Sequence, residues 1–482
     1  MRSAILGSML LVALAGCSLI PHYQRPALPT AAEYPTGPAF IGNGTASGPL
    51  AAGDVGWRDF FLDPVLQDLI ALALANNRDL RVAAQNVAAA NTQYEVQRAG
   101  LFPTINAIGS GDFAREPPGE MGSPVPLHIN SYSLGLSAVS YELDLFGKIR
   151  SLSKQAQEQY FSLAETRQST RISLVASVAS EYLVWLADRD ALRVSSETAS
   201  AQQQSFDLNQ LTLTQGTGTL LAVAQSESLL RTAEASVEQY TRQTAEDLDE
   251  IVLLVGAALP DALMTRMVAQ AGLSSEGAFP ALPPGLPSDL LQRRPDIRAA
   301  EHTLLAANAK IGAARAAFFP SVTLTATGGT ASSGLAKLFG AGTGSWLFEP
   351  EISVPIFDAG TNFANLDYAK IQTVIEVANY EKAIQSAFHD VSDALAGRAT
   401  YTRQVVAEQR LVDADQRYYA ISKLRSDAGA DTYLNVLIAQ SSLFAAQINL
   451  VTLKLAEQQN LVTLYKSLGG GWTDQVKPAP SR

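Results

Sequence analysis

Two hydrophobic periods run along this 482-residue chain, and they come in the same order twice. After Pro103, positions 105, 107, 109, 111 and 113 are apolar or small. After Pro320, Val322, Leu324, Ala326 and Gly328 alternate with Ser321, Thr323, Thr325 and Thr327. A period of two predicts strands with two unlike faces. A loop follows in each copy (Ala114 to Asn130; Ala331 to Gly344), then a second strand. In the first copy Tyr132, Leu134, Leu136 and Ala138 share a face, then the phase slips to Val139, Tyr141, Leu143 and Leu145, which predicts a bulge. In the second, Trp346, Phe348, Ile352, Val354 and Ile356 share a face with Pro350 between them, which predicts another. The period then changes. Ile172, Val175, Ala179, Tyr182 and Leu186 step by three and four, as do Val377, Tyr380, Ile384, Ala387, Val391 and Ala394. These heptads predict long antiparallel helices packed in coiled-coil fashion. Each run, Lys148 to about Thr214 and Thr361 to about Ser426, makes a helix of roughly 100 Å at about 1.5 Å per residue. Each breaks at a Gly-centred turn, Gly216-Thr217-Gly218 or Asp427-Ala428-Gly429-Ala430-Asp431, before a returning helix that ends near Gly256 or Leu468.

The chain is duplicated. Residues 79–103 align with 296–320 without a gap, and 10 of the 25 pairs are identical, among them Asn91/Asn308, Arg98/Arg315 and Pro103/Pro320. Chance alone supplies roughly two. The four strands, each about ten residues, suit an outer-membrane barrel. Tyr141, Phe146, Trp346 and Phe348 sit where such barrels carry interfacial aromatics. Four strands cannot close a barrel, so strands in lipid require the chain to oligomerise.

Composition narrows the class. A net charge of −11 with no basic block excludes a nucleic-acid binder. Residues 1–17 have the form of a secretory signal: Arg2, an apolar run from Ala4 to Leu14, then small residues before Cys17. Cys17 after Leu14-Ala15-Gly16 resembles the lipobox of bacterial lipoproteins, which implies a lipidated new N-terminus. It is the only cysteine in the chain. Ser18 resembles the sorting position of lipoproteins sent to the outer membrane. No later stretch is expected to be a transmembrane helix; Ile172 to Ala187 comes nearest, but contains Glu181 and is periodic. His22, His128, His302 and His389 lack metal-ligand spacing, and no catalytic constellation, metal site or cofactor site is expected. Gly340 to Gly344 reads as a surface loop, and Arg293-Arg294-Pro295-Asp296 as a helix start.

Several motifs in order then resemble one family. Gly56-Trp57-Arg58-Asp59-Phe60-Phe61, Asp63-Pro64-Val65-Leu66 and Ala75-Asn76-Asn77 before Asp79-Leu80-Arg81 are similar to the opening of TolC-like outer-membrane efflux proteins of the NodT lipoprotein type. Arg293 to Glu301 resembles the start of that family's second repeat, and Tyr465 to Trp472 its C-terminal motif. The resemblance implies a homotrimer with a 12-stranded barrel in the outer-membrane lipid bilayer and a helical periplasmic tunnel. It also implies a periplasmic membrane-fusion adaptor, and an inner-membrane RND-type pump that supplies the energy. The turns at Gly216, Thr217 and Gly218 and at Gly429 would then lie at the tunnel tip. Relatives often carry acids where this chain has Ala222 and Ile438, and in some at Asn435. Asp427 and Asp431 are therefore the acidic candidates for an aperture ring, or else solvated turn and cap residues.

The expected organisation is a signal peptide at 1–16, a lipidated leader at 17–62, a first repeat at 63–270, a Pro-rich linker at 271–287, a second repeat at 288–470 and a tail at 471–482. The alternative function is a pore-less, lipid-anchored coiled-coil protein of the periplasm. Alternating strands argue against it, since a scaffold has no need of them.

Overall fold

A computed structural model describes residues 18–40, 55–119, 124–273, 279–280 and 294–471. Cys17, the expected signal, most of the Pro-rich linker and Trp472 lie outside the described residues. The chain divides into two compact units, one of residues 1–27, 86–163 and 299–380, the other of 28–85, 164–298 and 381–482.

The first unit holds one four-stranded antiparallel sheet in the order β1 (Ile105–Glu116), β2 (Leu127–Leu143), β3 (Ser321–Ser332), β4 (Gly344–Ser353). Each expected strand pair forms, and β2 against β3 joins the two copies. The bulge expected after Ala138 is present: the β2–β3 register slips between Ala138 and Tyr141, with Ser140 at φ +53°. The bulge expected at Pro350 is not. Pro350 pairs with Leu324 in an unbroken ladder. β4 is an edge strand, where a proline costs no ladder bond if its nitrogen faces the open side. The strands also end earlier than the apolar pattern does, because the next residues are helix caps. Asp144 accepts from the backbone N–H of Ile149 and Arg150 (3.1 and 2.9 Å), capping α4 (Lys148–Thr214). Asp358 accepts from Gly360 and Asn362 (3.0 and 2.9 Å) at the start of α8 (Thr361–Asp427). The aromatics expected at strand ends also divide. Trp346 and Phe348 stand exposed, whereas Phe146 stacks on Phe319 at 4.7 Å and Tyr141 donates to the Leu101 carbonyl.

The second unit is helical. Asp63 caps α2 (Pro64–Asn76) by accepting from Val65 N–H at 2.7 Å, and its other oxygen accepts from the Tyr182 hydroxyl at 2.9 Å. The aromatic opening motif, which includes the short α1 (Trp57–Phe60), is core: Phe60 stacks on Tyr465 at 4.0 Å, and the Tyr465 hydroxyl donates to Val55 O. α4 returns through α5 (Leu220–Val255), and α8 through α9 (Tyr433–Ser467). The expected heptads are buried, Ile172 through Leu186 on α4 and Tyr380 through Ala394 on α8, except that Val377 at the start of the second is only half-buried. One expectation needs correcting. α9 is apolar and long enough to cross a membrane by length and composition. As the return arm of a hairpin it buries Val436, Leu437 and Leu450, which accounts for its apolarity.

Two helices occupy matching places in the duplicated chain: α3 (Arg78–Ala99) and α7 (Pro295–Ala316). A short α6 (Asp261–Ala269) follows α5 and is tied to α4 by Arg189, whose guanidinium donates to the Met267 and Val268 carbonyls.

Candidate functional site: hairpin tips and docked leader

Both hairpins turn by one device. At the end of α4, Gly216 adopts φ +75°, Gly216 N–H bonds Leu213 O at 3.0 Å and Thr217 N–H bonds Thr212 O at 3.0 Å. At the end of α8, Gly429 adopts φ +69°, Gly429 N–H bonds Ser426 O at 2.9 Å and Ala430 N–H bonds Arg425 O at 2.9 Å. This paired closure satisfies the last helical carbonyls and needs a left-handed residue, which is why glycine sits at both tips. Gly218 is constrained by space: a Cβ there would lie 2.6 Å from Thr212 Oγ1 and 2.7 Å from Leu213 N. Thr219 then caps α5 by accepting from Ala222 N–H at 3.2 Å.

The acidic candidates at the second tip are paired. Lys423 Nζ lies 3.1 Å from Asp427, and Arg425 Nε 3.2 Å from Asp431. Asp431 also accepts from Thr432 N–H (2.8 Å) and Asn435 Nδ2 (2.7 Å). The backbone N–H of Thr432, then Asn435 and Arg425, hold the Asp431 carboxyl below its ordinary range. The hydrogen bond to Asp427 raises Lys423. Asp427 and Asp431 are thus matched by cations, and the acids alone misstate the charge of the tip. Beside the tips, a cleft of about 380 Å³ opens between α5 and α9, lined by Leu229, Leu434, Leu437 and Ile438 with serines. Ile438 brings no charge to it.

In the sheet-bearing unit the leader lies on α7. Arg315 donates to Leu19 O (3.2 Å) and Asn308 to Pro21 O (2.9 Å). Glu301 accepts from Arg25 Nε and Nη2, each at 2.8 Å, and from the Tyr23 hydroxyl at 3.2 Å. A Cβ on Gly312 would meet Ile20 Cγ1 at 2.6 Å, so the glycine is the notch in which the leader sits. Sequence reasoning passed over these residues. The signal was present in the identities Asn91/Asn308 and Arg98/Arg315, but an extended segment is needed to give them a role.

The outer membrane efflux protein family model matches residues 69–257 and again 286–470. This chain belongs to the outer membrane efflux protein family. It is 47% identical over 466 residues to the probable efflux pump outer membrane protein TtgC of Pseudomonas putida, covering 97% of this chain and 95% of the relative. It is 39% identical over 463 residues to the cation efflux system protein CusC of Escherichia coli, covering 96% and 97%. Among solved structures, the open-state MtrE outer membrane channel of Neisseria gonorrhoeae matches with a TM-score of 0.86 at 36% identity, covering 96% of this chain and all of that one. A CusC structure matches with a TM-score of 0.82 at 38% identity, covering 94% and 100%. The efflux protein is therefore a transport protein of the outer membrane, and the pore-less scaffold reading is set aside.

Proposed function

We propose that the efflux protein is one protomer of a passive homotrimeric channel, through which an inner-membrane pump and periplasmic adaptor expel small organic molecules. The observation that carries this reading is the sheet. β1 and β4 are open edges of four strands, and β4 bears exposed Trp346, Phe348 and Ile352. Open edges with apolar faces cannot stand in lipid, and three copies joined β4 to β1 close a 12-stranded barrel. The names of the relatives, which include antibiotic and toluene efflux pumps at 47% identity, favour apolar organic substrates over cations. The energy comes from the pump, and the channel performs no chemistry of its own.

The leader supports the lipid anchor. Leu19 is held by Arg315 in the last turn of α7, five residues ahead of Pro320 and the start of β3. Acylation of Cys17, two residues before Leu19, then steers assembly rather than holding the chain. The tips meet the adaptor, with exposed Leu220, Leu221 and Leu424 available beside Gly216 and Gly429. Asp427 and Asp431 form a ring whose charge Lys423 and Arg425 largely cancel.

Purified protein in detergent should sediment as a trimer and conduct in a planar bilayer; a monomeric, non-conducting species refutes the channel. Replacing Asp427 and Asp431 with Ala should shift ion selectivity toward anions, because it uncovers Lys423 and Arg425. Unchanged selectivity removes the ring from the proposal. Cys17→Ser, exported by a non-lipoprotein signal, should lower the yield of trimers while those that form still conduct.

A further inference from the structure

Halfway along the first hairpin two carboxyls face each other across the helices. Asp188 of α4 and Asp247 of α5 are in hydrogen-bond contact. Asp247 is 9% exposed, and its Oδ2 is buried without a donor from any other residue. Two ionised carboxylates cannot share such a contact, so one proton must lie between them. Burial first, then the negative charges of Asp188, Glu181 and Glu246, pushes Asp247 up to about 7. Burial also raises Asp188, and with Glu250 it raises Glu181. α5 itself adds Tyr240, raised by burial and by Asp188. The helices packed on α5 bring no compensating charge to the pair. α2 has only Asp68, paired with Arg266, and α9 has Lys454, Glu457 and Lys466, none of which is among the charges acting on Asp247. No group of three or more acids or histidines among the described residues is placed to hold a metal ion. The proton is the ligand this geometry accepts.

The surrounding seam makes the pair decisive. Asp188 opens a heptad line of polar residues on α4: Ser195, Gln202 and Asn209 follow at intervals of seven. All three are buried, and Ser195 Oγ, Gln202 Oε1 and Asn209 Nδ2 have no partner. A seam of unsatisfied polar groups holds two helices weakly, because each group gives up water without recovering a bond. The charge state at Asp188–Asp247 therefore weighs more here than in an apolar coiled coil.

We propose that Asp188 and Asp247 form a proton-operated clasp that holds α4 against α5 and lets the first hairpin loosen when the proton leaves. The sign follows from linkage. A carboxyl in the unfolded chain loses its proton near pH 4, roughly. The folded protein keeps one more proton from there up to about 7, so its stability falls as pH rises through that window and is level above it.

The test places nitroxide labels at Ser196→Cys and Gln239→Cys, exposed neutral positions on the two helices, in full-length trimers. Singly labelled chains control for Cys17. Between about pH 5.5 and 8.5 the α4–α5 label distance should lengthen in the otherwise native protein. Asp247→Asn, which keeps the donor to Asp188 at every pH, should stay at the short distance. Its Tm should also lose the fall with pH seen in the native trimer. Asp188→Asn should behave likewise, which guards against a folding defect peculiar to one variant. A pH-independent distance in the native protein, or the same lengthening in both Asn variants, overturns the clasp.

Discussion

Arg294→Ala should unfasten the end of α9 without disturbing the sheet. Arg294 is 12% exposed at its side chain and touches three elements of the helical unit. Its nitrogens lie 2.6 and 3.0 Å from Asp296 in the first turn of α7, 3.1 and 3.2 Å from Asp390 of α8, and 3.3 Å from the carbonyl of Ser467, the last residue of α9. Burial acts to lower the guanidinium, yet the two carboxylates outweigh it and the group is raised. Hydrogen bonds to charged groups contribute about 1.5–3 kcal/mol each when their loss strands a partner. Here Asp296 and Asp390 are 40% and 39% exposed, so water takes up most of what Arg294 releases. The net cost should be about 2 kcal/mol, near the low end for a single stranded bond.

The assay is native-state hydrogen exchange. Amides of Leu464 to Ser467 should exchange roughly 30-fold faster in Arg294→Ala, the factor that about 2 kcal/mol represents. Arg294→Lys should recover less than half, because an ammonium cannot divide its donors between two carboxylates as a planar fork does. Amides of β2 and β3 should be unchanged. Equal protection of the α9 end in all three proteins would show that the Arg294 node is ornamental.

Two further substitutions probe the frame. Gly256 ends α5 at φ +74°, and a Cβ would lie 2.8 Å from the Asn76 carbonyl oxygen, a backbone atom that cannot swing aside. Gly256→Ala should therefore cost about 2 kcal/mol or more, one part for the left-handed conformation and the rest for the clash, read as a lowered Tm of the trimer. Glu301→Ala removes both Arg25 contacts and the Tyr23 contact, so leader amides from Leu19 to Tyr23 should exchange about tenfold faster. Unaltered exchange there would mean that Gly312, Asn308 and Arg315 hold the leader without Glu301.

Much of the fold was legible because two periods are hard to confuse when they recur in one chain. The heptads through Tyr182 and Ile384 placed the long helices, and the Thr/Val alternation after Pro320 placed β3. Asp144 and Asp358 were not legible. The apolar alternation runs on through Leu145 and Ile356, and only backbone geometry shows the strand surrendering to a helix cap. Pro350 misled for a related reason: proline forbids a ladder bond, but sequence does not say which strand is an edge. At the tips glycine spacing sufficed, since a left-handed residue is required there. The charge did not. Lys423 and Arg425 precede their acids by four and six residues, and a search for carboxylates alone passes over them. Asp188 and Asp247 lie far apart in sequence and meet only when the hairpin closes.

The duplication itself carries the last prediction. On α7, the face formed by Arg298, His302, Leu305, Ala309 and Gly312 is partly or fully buried. It is met by Glu158 bonding His302 at 2.6 Å and Ser162 bonding Thr303 at 2.9 Å, both from α4. The matching residues of α3 are Arg81, Gln85, Ala88, Thr92 and Glu95, and every one is exposed; α3 buries no residue at all. Aligning the buried heptads, Ile172 with Ile384 and Ala179 with Val391, sets Lys370 and Val374 of α8 where Glu158 and Ser162 stand on α4. Val374 is 68% exposed, as an apolar side chain awaiting a neighbour would be. The contact made once within the chain is thus expected a second time between chains, α3 of one protomer against α8 of the next. Thr92→Lys isolates it. Thr92 bonds only its own helix, at Ala88 O, so the protomer should lose nothing. In the trimer the new ammonium would stand where Ala309 stands at 1% exposure, a buried charge costing several kcal/mol. Analytical ultracentrifugation should find folded monomers in place of trimers. Thr92→Lys trimers of normal stability would refute the repeated contact, and with it the claim that the duplication is what builds the ring.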